Sequence, residues 1–202
     1  MKAIARQIPG YIYGTAEAAQ SRVSATELEQ LKQSVGFTTE DEHYLRMAGE
    51  VFDGQTKELV DTWRSLIAKI PHLAKHSKDP EGNLIPHYSE ASGLRFQQWI
   101  LDTCFRPYDS DWLNYQQEIA LRHTALKKNV TDGVESTDHI PFRHIVASAT
   151  VITETVKPFL ASKGHSAEDV EKMHSAWRKS LQLQIALWAQ PYCSNALAPD
   201  QW

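Results

Sequence analysis

The stretch DSDWLNYQQEIALRHTALKKN, Asp109 to Asn129, carries large side chains at intervals of three and four residues. These side chains are Trp112, Tyr115, Ile119, His123 and Leu126. Such spacing places them on one face of a helix. The opposite face carries the polar residues Asn114, Gln117, Glu118, Arg122 and Lys128. The pattern predicts a helix with a buried apolar face, an exposed polar face and one imidazole, that of His123, among the buried side chains.

The imidazole of His123 has two interpretations. A buried polar group needs a partner, because leaving it unpaired costs free energy. In the structural interpretation a backbone carbonyl or another side chain satisfies its nitrogens. In the second it is an axial metal ligand, since a histidine on an apolar helix is a common way to hold haem iron. Spacing alone does not separate the two.

Length and composition limit the classes of protein. The chain has 202 residues, which suits one domain with a substantial core. It has 21 Lys and Arg against 25 Asp and Glu, a net charge of −4, and no basic tract, so no nucleic-acid partner is expected. No run of some eighteen apolar residues is present, which predicts no membrane partner and a cytoplasmic location. Cys104 and Cys193 do not form a CxxC motif and agree with a reducing compartment.

The first 23 residues contain IPGYIYG, residues 8–14, in which Pro and Gly break a helix while Ile and Tyr favour burial. This composition predicts an ordered extension that lies against the body of the protein. A disordered terminus is the alternative that first residues usually favour.

The rest of the chain shows helical periodicity with capping signals. Helices are predicted over residues 24–36, 39–70, 86–105, 109–129, 142–160 and from 166 to Pro191. Gly54 marks a bend or a junction between two helices in the second of these. The run 142–160 is rich in β-branched residues, which favours a strand, but its length and lack of alternation favour a helix. The sum is an all-α single domain over residues 1–202 with seven or eight helices.

Motifs for several common chemistries are absent. The chain has no Walker A loop, no GxGxxG after a strand, no HExxH and no GxSxG, so phosphate-loop, dinucleotide-binding, zinc-protease and hydrolase functions are not indicated. His72 and His76 stand four apart in HLAKH, but a proline before them and a charged loop after them favour surface histidines over a zinc site.

Six segments carry a resemblance to a known family. They are IPGYIYG, AGEVFDGQTKELVDTW, RFQQWILDTC, YDSDWLNYQQEIALRHTALKKNVTDGVES, KPFLASKGH and LQIALWAQPY. Together they resemble the protoglobins, the single-domain haem globins related to the sensor domains of globin-coupled sensors. The likeness covers nearly the whole chain in order, and it favours the metal-ligand interpretation of His123.

The resemblance implies a globin fold with an additional N-terminal helix and an N-terminal extension, residues 1–23, that covers the haem. It implies haem b as cofactor and His123 as the proximal iron ligand through Nε2. The Nδ1–H of His123 would then donate to a carbonyl of the preceding helical turn, that of Ile119. Ile119, Ile145 and Ile152 match positions that pack on the proximal side.

On the distal side, Trp63 and Phe96 match aromatic residues that line the ligand pocket, and Arg95 matches an arginine that pairs with a haem propionate. The alternatives are an ordinary core position for Trp63 and a solvent-exposed Arg95.

Three residues depart from the family pattern. Arg64 stands where a tyrosine is common, and Ser77 and Ser148 stand where phenylalanine is usual. A wider and more polar pocket is expected, in which Arg64 either donates to a bound ligand or points outward as a solvated charge. His76, beside Ser77, is a candidate distal base or sixth iron ligand.

The expected function is reversible binding of O2, CO or NO at a histidine-ligated iron, for sensing or scavenging. One alternative is a haem enzyme with peroxidase-like, nitrite or NO chemistry in the polar pocket. Another is a haemless globin that acts as an interaction module, against which the presence of His123 counts. The resemblance also implies a homodimer through the last two helices, with which apolar residues on a second face, such as Leu183 and Leu187, agree.

Overall fold

Helices build the fold between residues 8 and 193, the part of the chain that the computed structural model describes. Eight α-helices occur in this part: α1 (Ala25–Ser34), α2 (Thr39–Phe52), α3 (Thr56–Ala68), α4 (Pro71–Ala74), α5 (Pro86–Phe105), α6 (Ser110–Leu121), α7 (Phe142–Leu160) and α8 (Ala167–Trp188). Short 3-10 turns follow α4, α7 and α8, and no strand forms within the described range. The all-α prediction is confirmed, including the helix over residues 142–160.

Local signals set most helix starts. The Ser24 side chain accepts from the Glu27 backbone amide and completes the predicted capping box at the start of α1. Ser166 caps α8 in the same way. Gly54 separates α2 from α3 with a φ of 81°, a left-handed conformation that favours glycine, so the predicted long helix is two helices.

The central helix is shorter than predicted. It ends at Leu121, and His123 lies in the turn that follows. The carbonyl of His123 accepts hydrogen bonds from the Ile140 amide at 2.8 Å and the Tyr192 hydroxyl at 3.1 Å, so it is not free to continue the helix. The predicted continuation to Asn129 is therefore wrong. Leu126, predicted to face inward, is 70% exposed.

The predicted polar face of α6 is not open to solvent. Glu118 is only 2% exposed. The N-terminal segment covers this face, because the Ala19 amide donates to Glu118 Oε2 at 3.1 Å and the Ser21 amide donates to Asn114 Oδ1 at 2.8 Å. The two faces of α6 thus contact different parts of the molecule.

The N-terminal segment, residues 8–23, lies against α5 and α6. The Tyr11 hydroxyl donates to Asp102 Oδ2 at 2.6 Å. The rings of Tyr11 and Tyr13 meet the ring of Tyr115 edge-on, with centroid distances of 5.3 and 5.4 Å. The described part of the extension is therefore packed on the body, and residues 1–7 lie outside the described range.

Helix α8 packs against α2, α6 and α7 and is buried on several faces. Leu183 and Leu187 pack in a cluster with Leu28, Trp112 and Leu113. They do not form a free second face as predicted, and the homodimer stays a prediction without their support. No helix between residues 8 and 193 has the length and apolarity needed to cross a bilayer.

Candidate functional site

A cavity of about 250 Å³ lies between α3, α5, α6, α7 and α8. A single water needs only about 10–15 Å³ of such space, so this volume is far larger than a packing defect. Every residue predicted for the site lines it: Trp63, Arg64, His76, Ser77, Arg95, Phe96, Ile119, His123, Ile145, Ser148 and Ile152. The fold therefore brings together side chains from positions 63 to 152 of the sequence.

His123 lines this cavity, and one of its ring nitrogens is bonded to the backbone. Its Nδ1 lies 2.8 Å from the Ile119 carbonyl oxygen, the hydrogen bond predicted from the sequence. A carbonyl only accepts, so Nδ1 carries the proton and Nε2 carries the lone pair. Burial lowers the pKa of His123, although the hydrogen bond to Ile119 acts in the opposite direction. The lowered pKa favours the neutral ring that metal ligation requires.

The ring of His123 is also packed from the side. Trp188 stacks against it with a centroid distance of 6.0 Å and an interplanar angle of 26°. Trp188 is itself oriented by its Nε1–H, which donates to Gln116 Oε1 at 2.9 Å. The sequence predicted Trp188 only as an inward residue of α8, and its contact with the imidazole was missed.

Aromatic and aliphatic side chains form the apolar walls. The rings of Trp63 and Phe96 meet edge to face at 4.6 Å, and Ile119, Ile145 and Ile152 line other parts of the cavity. The indole N–H of Trp63 is buried and has no hydrogen-bond partner within residues 8–193. A buried donor without a partner is costly, so this N–H favours a ligand that accepts from it.

Arg64 lies along the cavity wall and is not a solvated outward charge. Its Nη1 donates to the Ser89 carbonyl and its Nη2 to Ser92 Oγ, both at 2.7 Å. A Cβ at Gly93 would come within 2.9 Å of Nη1, so the missing side chain at Gly93 allows this position. Burial lowers the pKa of Arg64, but an arginine stays charged at any ordinary pH.

Arg95 is paired and buried, which rules out the exposed alternative. It forms two hydrogen bonds with Asp132, at 2.9 and 2.6 Å, and a third to the Pro9 carbonyl at 2.8 Å. The two side chains are only 12% and 6% exposed. Two of the five guanidinium N–H groups remain for another acceptor. Asp132 was missed because it lies in a loop, where no periodicity marks it.

Ser77 and Ser148, expected from the resemblance to stand in place of phenylalanine, both line the cavity. The Ser148 hydroxyl donates to the Ile145 carbonyl of its own helix at 3.1 Å. Because this bond uses its proton, Ser148 widens the cavity more than it makes the cavity polar. Ser77 also lines the cavity and follows His76 in the 3-10 turn after α4.

His76 and Lys128 meet at one corner of the cavity. His76 is 6% exposed, and its Nδ1 lies 2.6 Å from Thr137 Oγ1. Lys128, predicted on a solvent-facing helix surface, is 2% exposed, and its Nζ donates to the Thr137 carbonyl at 2.6 Å. Burial lowers the pKa of His76 to about 4, helped by the charge of Lys128, and lowers the pKa of Lys128 to about 8. No pattern in the sequence marks Lys128 as buried.

Comparisons with known proteins found a matching family model and similar solved structures. The family model described as Protoglobin matches residues 24–197. Among solved structures, the globin domain of the Geobacter sulfurreducens globin-coupled sensor is similar with a TM-score of 0.61 and 16% identity, over 82% of this chain and 97% of that one. No curated protein sequence matches the chain. The structural likeness confirms the predicted globin fold.

Proposed function

The chain belongs to the protoglobin family, and from this premise we propose that it binds haem b through His123 and binds O2, CO or NO reversibly. The observation that carries the proposal is the imidazole of His123, which lines the cavity and whose Nδ1 proton is held by the Ile119 carbonyl, so that Nε2 keeps its lone pair. Haem would supply the iron to which the gas binds. A hydrogen bond donated by the second ring nitrogen is the usual way in which proteins orient a ligating histidine.

The cavity residues fit the cofactor chemically. Ile119, Ile145 and Ile152 offer apolar surface to a porphyrin without any cost of burying polar groups. Arg95 has two N–H groups beyond those bound to Asp132 and Pro9, and in this proposal it pairs with a haem propionate. The same bond to Pro9 fixes the N-terminal segment, which in this proposal covers the haem.

The first test is the absorption spectrum of the purified protein in the ferric, ferrous and ferrous-CO states. A histidine-ligated b-type haem should give spectra that respond to reduction and to CO. A folded protein that takes up no haemin would contradict the proposal.

Arg64→Leu is expected to speed O2 dissociation by about 10- to 100-fold, the equivalent of one lost hydrogen bond to a charged group. The N–H groups of Arg64 can donate to O2, whereas CO is a poor acceptor, so CO dissociation should change little. Stopped-flow measurement of both gases checks this. Arg46→Leu, at an exposed position on α2, is the matched control.

A second variant tests the same contact without removing the charge. Gly93→Ala would place a methyl group against Nη1 of Arg64 and displace it, so O2 dissociation should rise as in Arg64→Leu. Equal effects on O2 and CO in both variants would show that Arg64 only shapes the cavity.

A second candidate function is chemistry on peroxide or nitrite. The observation that favours it is that Arg64 has no carboxylate within ion-pair distance in the described part of the chain, so its charge is available to an anion. Turnover well above that of free haemin, and its loss in Arg64→Leu, would support this function. Rates no higher than those of free haemin would exclude it.

A further inference from the structure

Lys128 is a buried cation. Its Nζ donates to one carbonyl, that of Thr137, and no carboxylate of residues 8–193 lies within ion-pair distance of it. Asp138 acts on Lys128 only from a distance, and its own side chain bonds the exposed His139. An ammonium group in such a position costs free energy unless a further partner compensates the charge.

His76 presents an unsatisfied nitrogen at the same corner. Its Nδ1 contacts the Thr137 hydroxyl, and its Nε2 is buried without a partner in the part of the chain that the structure describes. Thr137 thus anchors both residues, His76 through its hydroxyl and Lys128 through its carbonyl. When the Thr137 hydroxyl donates to Nδ1, Nε2 carries the proton and becomes a donor.

The surroundings of this corner favour an anion. The Nζ of Lys128 lies 5.6 Å from the ring centroid of Tyr88, whose other charged neighbours are Asp132, Arg95 and Arg64. Asp132 is already paired with Arg95, so the chain's own carboxylate is not free to compensate Lys128.

We propose that Lys128, with His76 beside it, binds one of the two carboxylates of the haem. This assignment rests on the proposed function. A carboxylate has two oxygens, so it can accept from the ammonium of Lys128 and from the Nε2–H of His76 at once. Arg95 is left for the other carboxylate, and His76 serves as a donor to the propionate and not as an iron ligand.

The test compares haemin with haemin dimethyl ester, in which both carboxylates are blocked, in the wild-type chain and in Lys128→Met. The measured quantity is the rate at which the cofactor leaves for an excess of an acceptor protein. Haemin should leave Lys128→Met about 10- to 100-fold faster than it leaves the wild type. The dimethyl ester should leave both proteins at the same rate. Lys57→Met, at an exposed lysine of α3, is the control and should behave as wild type.

His76→Ala should show a smaller loss of the same kind, again for haemin and not for the ester, with an unchanged ferric spectrum. Lys128→Met keeps the length of the side chain and removes a buried charge, which proteins often tolerate. If Lys128→Met nevertheless fails to fold, His76→Ala and the comparison of the two cofactors in the wild type test the carboxylate assignment.

Several outcomes would overturn the assignment. Equal losses of haemin and ester in Lys128→Met would make Lys128 a packing residue. A low-spin to high-spin change of the ferric protein in His76→Ala would make His76 an iron ligand. Haemin and ester that leave the wild type at the same rate would show that Lys128 holds no haem carboxylate and would indicate a small-anion site. A wild type that takes up neither cofactor refutes the proposed function itself, a result distinct from the other three.

Discussion

His123→Ala is expected to abolish stable haem uptake. The imidazole of His123 lines the cavity, and because the Ile119 carbonyl holds its Nδ1 proton, its Nε2 keeps the lone pair that can bind iron. Loss of residues that merely orient a metal ligand costs about 10- to 100-fold in metal affinity, so loss of the ligand itself should cost more than about 100-fold. Haemin titration followed by absorption, and gel filtration of the loaded protein, measure this loss.

Two controls make the result specific to the iron bond. His139→Ala removes a half-exposed imidazole that binds Asp138 and should leave haem uptake unchanged. Added imidazole should restore part of the spectrum to His123→Ala, because a free ligand can occupy the space that the side chain leaves. An unchanged ferrous-CO spectrum in His123→Ala would refute the proposed function.

The family resemblance predicted the proximal half of the site, and local spacing agrees with the residues that it assigns there. Ile119 precedes His123 by four residues, the distance at which a side chain reaches the carbonyl of the preceding turn, so the hydrogen bond follows from local geometry. Ile145 and Ile152 also lie on one face of a helix, seven residues apart. For these residues the periodicity of the sequence and the packing of the fold agree.

The rest of the site depends on contacts between distant parts of the chain. Helix α6 ends early because the His123 carbonyl bonds Ile140 and Tyr192, and neither partner can be deduced from local spacing. The turn that follows buries Lys128 and brings Asp132 to Arg95. Helical periodicity cannot predict these positions, since it assigns a residue to a face only while the helix continues.

Glu118→Ala is expected to lower the free energy of unfolding by about 3–5 kcal/mol, the usual cost of removing one partner of a buried ion pair. The carboxylate accepts from Arg122 Nε at 2.9 Å and from Lys127 Nζ at 2.5 Å, and it also accepts from the Ala19 amide. Its loss leaves two cations without their carboxylate and removes one of the hydrogen bonds that hold the N-terminal segment on α6. Urea denaturation at neutral pH measures the change.

Two further variants, Glu154→Ala and Glu118→Gln, separate the effect of the Glu118 charge from the effect of its buried position. Glu154→Ala, at an exposed site in α7, should change stability by no more than about 0.5 kcal/mol. Glu118→Gln keeps an acceptor for Ala19 but not the charge, so its loss of stability should lie between those of Glu154→Ala and Glu118→Ala. A Glu118→Ala protein as stable as Glu154→Ala would show that the ion pairs contribute nothing net.

The pH dependence of the stability difference between the wild type and Glu118→Ala tests whether this difference is electrostatic in origin. Burial opposes the charged form of Glu118, but the hydrogen bonds from Lys127 and Arg122 outweigh it and lower the pKa of the carboxyl in the folded protein. The contribution is therefore complete above the unfolded value of about 4.3 and is lost as the pH falls toward the folded value. The stability difference between wild type and Glu118→Ala should accordingly shrink below about pH 4. A difference that stays constant through this range would assign the effect of Glu118 to packing and not to its charge.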